Sequence, residues 1–370
     1  MDIETHRRNN FDFLRLLFAG CVIITHSYPL AGSKECDWLC QFTNGQYIFS
    51  WIAVRGFFVI SGYLIFQSLE RSRDLADFYW KRILRLFPAL AVVLILTVVL
   101  GPFVYENDTA YLLNKSVRTY IPNNLRLYRI QYDIPGIFDR NPHKSAINGS
   151  LWTIPFEFTM YIAVSLLFFI KSKRIPVIVV LLLTYLFLAK LDVLNFTEIQ
   201  KWNYFILDWY LIELGVYFAA GSLLAATRMA DISQRHLLII LIISLGLFVF
   251  STGQPIFSFA SVTLLPIIVL SMGLLPVYGI SNVTEHIGDL SYGIYIYGFP
   301  VQQTLVYYFG MDHVSLIFTS LIISAILAYL SWRLIEAPAL KLKNLKPIPI
   351  LIQKTRGIVR VNLKGFYQKR

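Results

Sequence analysis

An arginine and a histidine, Arg15 and His26, lie eleven residues apart in the first apolar stretch of the chain. In an α-helix eleven residues make about three turns, so both side chains would project from nearly the same face, about 16 Å apart along the axis. Imidazole is the usual acceptor of a proton from a hydroxyl near neutral pH. The spacing therefore indicates either a catalytic base above a fixed cation, or a buried, hydrogen-bonded histidine with an arginine that reaches toward the membrane interface.

A second basic pair, Arg82 and Arg85, is three residues apart, which places both side chains on one face of a helix. Two neighbouring guanidinium groups form charge-assisted, bidentate bonds with phosphate oxygens. The pair therefore indicates a phosphate-binding site. The alternative is ordinary positive charge at a cytoplasmic boundary, bound to lipid headgroups.

Several further polar residues lie in apolar stretches. Charged groups are costly in hydrocarbon, so they usually face the interior of a helix bundle. There a carboxylate orients an imidazole or tunes its pKa, or it forms an ion pair with a neighbouring helix. The residues concerned are Glu157, with Thr153 and Tyr161 one turn to either side, the polar stripe of Asp289, Tyr292 and Tyr295, and the charged residues Arg55, Asp208 and Glu213.

Helices that cross a membrane are the elements that must position these residues. The chain is 56% hydrophobic and has a mean hydropathy of +0.59, whereas a soluble domain of 370 residues would need far more polar surface. The apolar runs are continuous, not alternating, and most are near the ~20 residues that a helix needs to cross a bilayer. We therefore predict an all-α integral membrane protein with about ten transmembrane helices, at 11–31, 48–66, 88–105, 149–170, 174–190, 203–226, 236–252, 255–279, 287–310 and 314–336.

The chain is predicted to form one transmembrane domain, residues 1–340, followed by a basic cytoplasmic tail, residues 341–370. Residues 74–87 have the pattern of an amphipathic helix that lies on the cytoplasmic surface. Pro88 is expected to open the third span, because proline suits the first turn of a helix.

The positive charge predicts the orientation. The net charge is +11, and the basic residues concentrate in the tail and in the links 67–87, 171–174 and 228–235. Short basic links remain in the cytoplasm and meet anionic lipid, so both termini of a ten-span chain are expected there. We find no basic and aromatic stripe that would form a groove for nucleic acid.

Three cysteines give little further information. Cys21 lies inside the first apolar stretch and is interpreted as a small packing residue. Cys36 and Cys40 fall in the following loop, which is predicted to face outside, where either a disulfide or two free thiols can exist. The Cys and His residues show no metal-ligand spacing, so no metal site is expected.

Six segments together resemble the acyltransferase-3 family of bacterial membrane acyltransferases. They occur in the family's order and span nearly the whole chain. They are NNFDFLRLLFAGCVIITHSYPL at 9–30, RGFFVISGYLI at 55–65, FYWKRILRLFPAL at 78–90, NGSLWTIPFEF at 148–158, DLSYGIYIYGFPVQQ at 289–303 and SWRLIEAPAL at 331–340.

The resemblance implies an enzyme of the bacterial inner membrane that O-acylates extracytoplasmic glycans such as O-antigens, exopolysaccharides, Nod factors and peptidoglycan. The donor would be cytoplasmic acyl-CoA, with acetyl-CoA expected as a substrate and no permanently bound cofactor. Many relatives have a histidine where this chain has Gly298, so no catalytic role is assigned there. By similarity, His26 would be the catalytic base, Arg15 and Glu157 further catalytic residues, Arg82 and Arg85 donor-binding residues, and Ser291 and Tyr292 contacts to the substrate or the oxyanion.

Some family members carry a fused periplasmic domain, and this chain has a short basic tail instead, so it is expected to work alone or with a separate periplasmic partner. The acceptor would be a lipid-linked or surface polysaccharide. A rival hypothesis is a permease or flippase that moves a glycan or lipid-linked sugar without forming a bond. A structural scaffold in a polysaccharide assembly complex is a third.

Overall fold

The computed structural model describes residues 9–128, 130–193, 209–277, 279–281, 283 and 287–345. Over these residues the chain is an all-α bundle with two isolated β-bridges in the long loop after the fourth helix. The α-helices are α1 (Phe11–Leu30), α2 (Trp38–Phe42), α3 (Phe49–Arg71), α4 (Leu75–Leu100), α5 (Lys115–Leu125), α6 (Thr153–Ser165), α7 (Arg174–Val193), α8 (Trp209–Ala226), α9 (Gln234–Ser251), α10 (Phe257–Leu274), α11 (Ser291–Phe309), α12 (His313–Ser331) and α13 (Ala337–Lys341).

The predicted all-α membrane architecture is confirmed. In the described parts of the chain, nine helical segments are long and apolar enough to cross a membrane, and they coincide with nine of the ten predicted spans. The remaining predicted span, 287–310, corresponds to α11, whose 19 residues are helical and mostly buried. Most of the predicted tail, the start of the sixth predicted span and Asp208 lie outside the described residues.

The long helices run in alternate directions, so the bundle has two different ends. At one end the N-terminus of α1 meets the C-terminus of α10, where Asn10 Nδ2 donates to Met272 O at 3.0 Å. At the same end Arg174, which opens α7, donates from Nε to Ala226 O at the end of α8, at 3.3 Å. We call this the basic end, and we call the opposite one, with the connections 31–48 and 105–148, the loop end.

The prediction that Pro88 opens the third span was wrong. Residues 75–87 are helical as expected, but α4 continues through Pro88 to Leu100 without a break, and Asp74 caps its start. Phe78 and Leu86 are buried, so this segment packs against the bundle and does not lie on a membrane surface alone. Proline has no N–H, so one backbone hydrogen bond of the helix is lost at Pro88. Packing of the helix on both sides of the proline compensates for this loss.

Helices α3 and α8 cross closely because each has a glycine at the contact. A Cβ on Gly62 would lie 2.1 Å from Phe218 O, and a Cβ on Gly221 would lie 2.1 Å from Val59 O. Ser222 Oγ donates to Gly62 O at 3.1 Å across the same contact. Small residues that let backbones approach are a common basis of helix association in membranes.

We therefore expect Gly221→Ala to destabilise the fold by about 1–3 kcal/mol or more, because its methyl group would displace a backbone carbonyl. The control is Gly246→Ala in α9, where an added Cβ meets no atom within 4 Å. The measurement is the yield and thermal midpoint of monodisperse protein in detergent. Equal midpoints for the two variants would contradict the proposed close crossing.

The loop after α1 is anchored by one buried carboxylate. Asp37 caps α2, accepting from Cys40 N at 3.0 Å, and also accepts from Thr25 Oγ1 at 2.6 Å and Phe49 N at 2.8 Å. Cys36 and Cys40 are joined by a disulfide, so the disulfide alternative is the one realised in the structure. Together these contacts tie the loop to the end of α1, next to His26.

Candidate active site

Six of the seven predicted site residues line one cavity of about 400 Å³, which opens toward the basic end between α1, α3, α4, α6 and α11. We call it the basic-end cavity. They come from four separate parts of the chain, and the folding of the bundle brings them together. The six are Arg15, Arg82, Arg85, Glu157, Ser291 and Tyr292.

Asp289 pairs with two of the cavity's arginines. Arg15 Nη1 lies 3.0 Å from Asp289 Oδ2, and Arg85 Nη2 bonds to the same oxygen. The other carboxylate oxygen, Oδ1, accepts from Ser291 Oγ at 2.6 Å and from Ser291 N at 3.2 Å. Asp289 thus links the start of α11 to α1 and α4, and it neutralises part of the charge of Arg15 and Arg85.

Among the described residues, Arg82 forms no ion pair with a carboxylate within 4.0 Å, unlike Arg15 and Arg85. Its Nη2 donates to a hydroxyl, Ser68 Oγ, at 3.1 Å, and its guanidinium lies 5.4 Å from the centre of the Phe78 ring. Further cations line the same cavity near its opening: Arg71, Lys81 and Lys343. Such a concentration of positive charge suits phosphate groups.

Glu157 and Tyr292 make their hydrogen bonds within the bundle. Glu157 Oε1 accepts from Ser61 Oγ at 2.8 Å and from Tyr161 OH, one turn along α6. Tyr292 OH donates to Leu86 O at 3.0 Å and so connects α11 with α4. In this arrangement Glu157 is held by hydroxyls, and the polar groups of α11 hold the cavity wall in place.

His26 lies outside the lining of this cavity, at its loop-ward end. Its ring contacts Phe299 edge to face, with ring centres 5.6 Å apart. Tyr295, four residues before Phe299 on α11, does line the cavity, and its hydroxyl lies 2.8 Å from Thr153 Oγ1. Residues four apart on a helix share a face and are separated by about 6 Å, so His26 lies about one turn beyond the Thr153–Tyr295 pair.

A second pocket, of about 480 Å³, opens at the loop end. Sequence reasoning missed it, because its residues come from a loop and two helix starts that show no common spacing. His143 in this pocket contacts Phe299, with ring centres 6.0 Å apart, so Phe299 touches both imidazoles. We call it the loop-end pocket; it is lined by Tyr132, Asp133, His143, Ala146, Gly149, Trp152, Phe156 and Tyr210.

Glu35 and Asp37, in the loop after α1, interact electrostatically with each other, and Glu35 also interacts with His143 of the loop-end pocket. Burial raises the pKa of the Glu35 carboxyl and its neighbour Asp37 raises it further, whereas His143 lowers it. His143 also interacts electrostatically with His26. The two imidazoles therefore share one electrostatic environment at the loop end.

Arg55 and Glu213 form an interhelical ion pair, one of the two roles expected for such residues. The Arg55 guanidinium also stacks on Trp51, 3.9 Å from the ring centre. Other residues of α3, such as Val54 and Phe58, line the basic-end cavity, whereas Arg55 faces a separate small pocket between α3 and α8. The pair therefore stabilises the bundle beside the site.

Comparison with known proteins identifies the family. A family model described as an acyltransferase domain matches residues 8–333. The O-acetyl transferase of Shigella phage Sf6 is 30% identical over 341 residues, which cover 90% of this chain and 96% of that protein. Nodulation protein 10 of Rhizobium leguminosarum bv. viciae is 29% identical over 367 residues, covering 91% and 94%. No solved structure matches the chain.

The six segments that resemble the family lie within or beside the matched region, and all six contribute residues to the basic-end cavity. The match covers most of the chain and the two relatives are similar over nearly their whole length. The chain therefore belongs to the acyltransferase-3 family.

Proposed function

We propose that the protein is an O-acetyltransferase that takes an acetyl group from acetyl-CoA at the basic end and transfers it to a glycan hydroxyl at the loop end. The observation that carries the proposal is the arrangement of two cavities at opposite ends of the bundle, one strongly cationic, with His26 beside Phe299 between them. The printed name of the phage relative, O-acetyl transferase, supports the same reaction. The protein would lie in a bacterial inner membrane with both termini in the cytoplasm.

The donor would bind in the basic-end cavity. Arg82, with the cations near the cavity opening, would hold the CoA phosphates, and Arg85 and Arg15, fixed by Asp289, would add positive charge deeper in the cavity. The acyl-bearing arm would then extend along α6 toward the Thr153–Tyr295 pair. This course leads from the basic end to within about one helical turn of His26.

Transfer would need one proton acceptor and one oxyanion contact. His26 takes the proton of the sugar hydroxyl while that oxygen attacks the thioester carbonyl, the carbon–sulfur bond breaks, and the leaving thiolate receives the proton from His26. Ser291 and Tyr292 precede Phe299 by eight and seven residues, about 11–12 Å along α11. The Thr153 and Tyr295 hydroxyls lie closer to Phe299 and are better placed to donate hydrogen bonds to the oxyanion. Ser291 and Tyr292 would instead hold Asp289 and α4 in position at the donor site.

The test is transfer of radiolabelled acetyl from acetyl-CoA to polysaccharide by the purified protein in liposomes. The acceptor is polysaccharide extracted from a strain in which the gene is deleted. We expect ester-linked label that mild alkali releases, and we expect the deletion strain to lack the corresponding O-acetyl groups. A permease would leave the polysaccharide unlabelled, and normal acetylation in the deletion strain would overturn the proposal.

Arg82→Gln is expected to raise the KM for acetyl-CoA by about tenfold or more, because one charge-assisted contact to phosphate is worth about 1.5–3 kcal/mol. The KM for polysaccharide should stay within about twofold. Arg235→Gln, at an exposed position of the basic end, is the matched control and should change neither constant. An unchanged acetyl-CoA KM in Arg82→Gln would remove this residue from the donor site.

A further inference from the structure

The loop-end pocket differs from the basic-end cavity in charge. The basic-end cavity is lined by several arginines and lysines. Of the described residues that line the loop-end pocket, none is a lysine or arginine, and the lining includes one carboxyl side chain, Asp133, and one imidazole, His143. A phosphate-bearing donor suits the first site, whereas the second suits a neutral ligand that offers hydroxyl groups.

Aromatic rings form much of the wall of the loop-end pocket. The ring centres of Trp152 and Tyr210 are 4.9 Å apart with a 60° tilt, and Phe156 lies 6.0 Å from Trp152. Trp152 is half-buried, and Tyr210 is 48% exposed, so the pocket presents aromatic surface to a ligand from the loop end. Flat apolar faces of this kind pack against a face of a pyranose ring that carries C–H groups.

The polar side of the loop-end pocket is built on a braced loop. Asp133 and Ala146 form a β-bridge, and Ile147 N donates to Tyr132 O at 3.0 Å. Gln303 of α11, fully buried, donates from Nε2 to Ala146 O at 2.7 Å. The loop is therefore tied to the same helix that carries Phe299 and Tyr295, and Asp133 is held in place beside the aromatic rings.

The pocket also adjoins the reaction centre. Trp152 lines the loop-end pocket and Thr153, the next residue, lines the basic-end cavity. A Cβ on Gly149 would lie 2.6 Å from the Phe299 ring, so the Phe299 ring closes the pocket on the side of His26.

We propose that the loop-end pocket is the acceptor site, and that it binds a neutral pyranose of the glycan. The sugar ring stacks on Trp152 and Tyr210, and Asp133 and His143 accept hydrogen bonds from its hydroxyl groups. The inference rests on the proposed function and names the site at which its acceptor is recognised. Bound there, the sugar lies beside Phe299, the ring that contacts both His143 and His26.

The experiment measures two KM values for each variant in the liposome assay, one for acetyl-CoA and one for the extracted polysaccharide. Trp152→Leu and, separately, Tyr210→Leu are expected to raise the polysaccharide KM about tenfold and to leave the acetyl-CoA KM within twofold. Trp152→Phe, which restores an aromatic face, should recover most of the loss. Trp38→Leu, an exposed tryptophan of the loop end outside both cavities, is the matched control.

The outcomes separate this inference from the function on which it rests. If the wild-type protein transfers no acetyl group, the proposed function fails before any variant is compared. If the wild type is active and both variants keep the polysaccharide KM, or raise both KM values equally, the pocket is not the acceptor site. A rise in the polysaccharide KM alone, reversed by Trp152→Phe, supports the acceptor site. Tyr210 is partly exposed, so its replacement is not expected to unfold the protein, and its variant distinguishes lost binding from a folding defect.

Discussion

Replacing His26 with glutamine is expected to lower the rate of acetyl transfer by about a hundredfold to ten-thousandfold, the usual contribution of a positioned general base. Glutamine keeps a hydrogen-bonding side chain but cannot accept and return a proton. The KM values for acetyl-CoA and polysaccharide should change little, because His26 lies outside the lining of the basic-end cavity and behind Phe299 from the loop-end pocket. The measurement is kcat with saturating donor and acceptor.

The matched control for His26 is His313→Gln. His313 opens α12 at the same end of the bundle, stacks on Tyr28 with ring centres 4.5 Å apart and contacts Ser33 Oγ at 3.4 Å. It has a comparable aromatic environment and no part in the proposed reaction. Full activity of His26→Gln, at equal amounts of folded protein, would show that His26 serves packing only and that another residue is the catalytic base.

The architecture could be predicted from the sequence because hydropathy and length decide where helices cross a membrane. The less apolar α11 was also found, although it contains Gln302 and Gln303. These amides are buried and bonded inside the bundle, as where Gln302 Nε2 donates to Ser27 Oγ at 2.7 Å. Pro88 was misjudged, because whether a proline begins or interrupts a helix depends on packing that local sequence does not contain.

Sequence patterns predicted residues of the basic-end cavity but not its internal pairing. Asp289 was recognised as part of a polar stripe, yet its ion pairs with Arg15 and Arg85 join residues more than two hundred positions apart. The loop-end pocket could not be predicted at all. His143, Trp152 and Tyr210 come from a loop and from two helix starts, and only the fold brings them together.

Asp289→Asn is expected to destabilise the protein by about 3–5 kcal/mol, the usual cost of breaking a buried ion pair from one side. The side chain of Asp289 is 12% exposed, and its Oδ2 accepts from both Arg15 and Arg85. Without the carboxylate, the two guanidinium groups that now share one oxygen would lose their common counter-charge, and Asp12 lies farther from Arg15, at 4.0 Å. An amide offers one oxygen to the arginines but cannot offset their charge.

The measurement is the thermal midpoint of the purified protein, which should fall by about 5 °C or more in Asp289→Asn. The matched control is Asp77→Asn, which removes the carboxylate that Lys81 contacts at 2.8 Å one turn along α4. That pair is more exposed and within a single helix, so its loss should cost under about 1 kcal/mol. Equal midpoints would mean that Asp289 serves donor binding alone. A larger fall in Asp289→Asn, together with a raised KM for acetyl-CoA, would show that one carboxylate both joins three helices and sets the arrangement of the donor-site arginines.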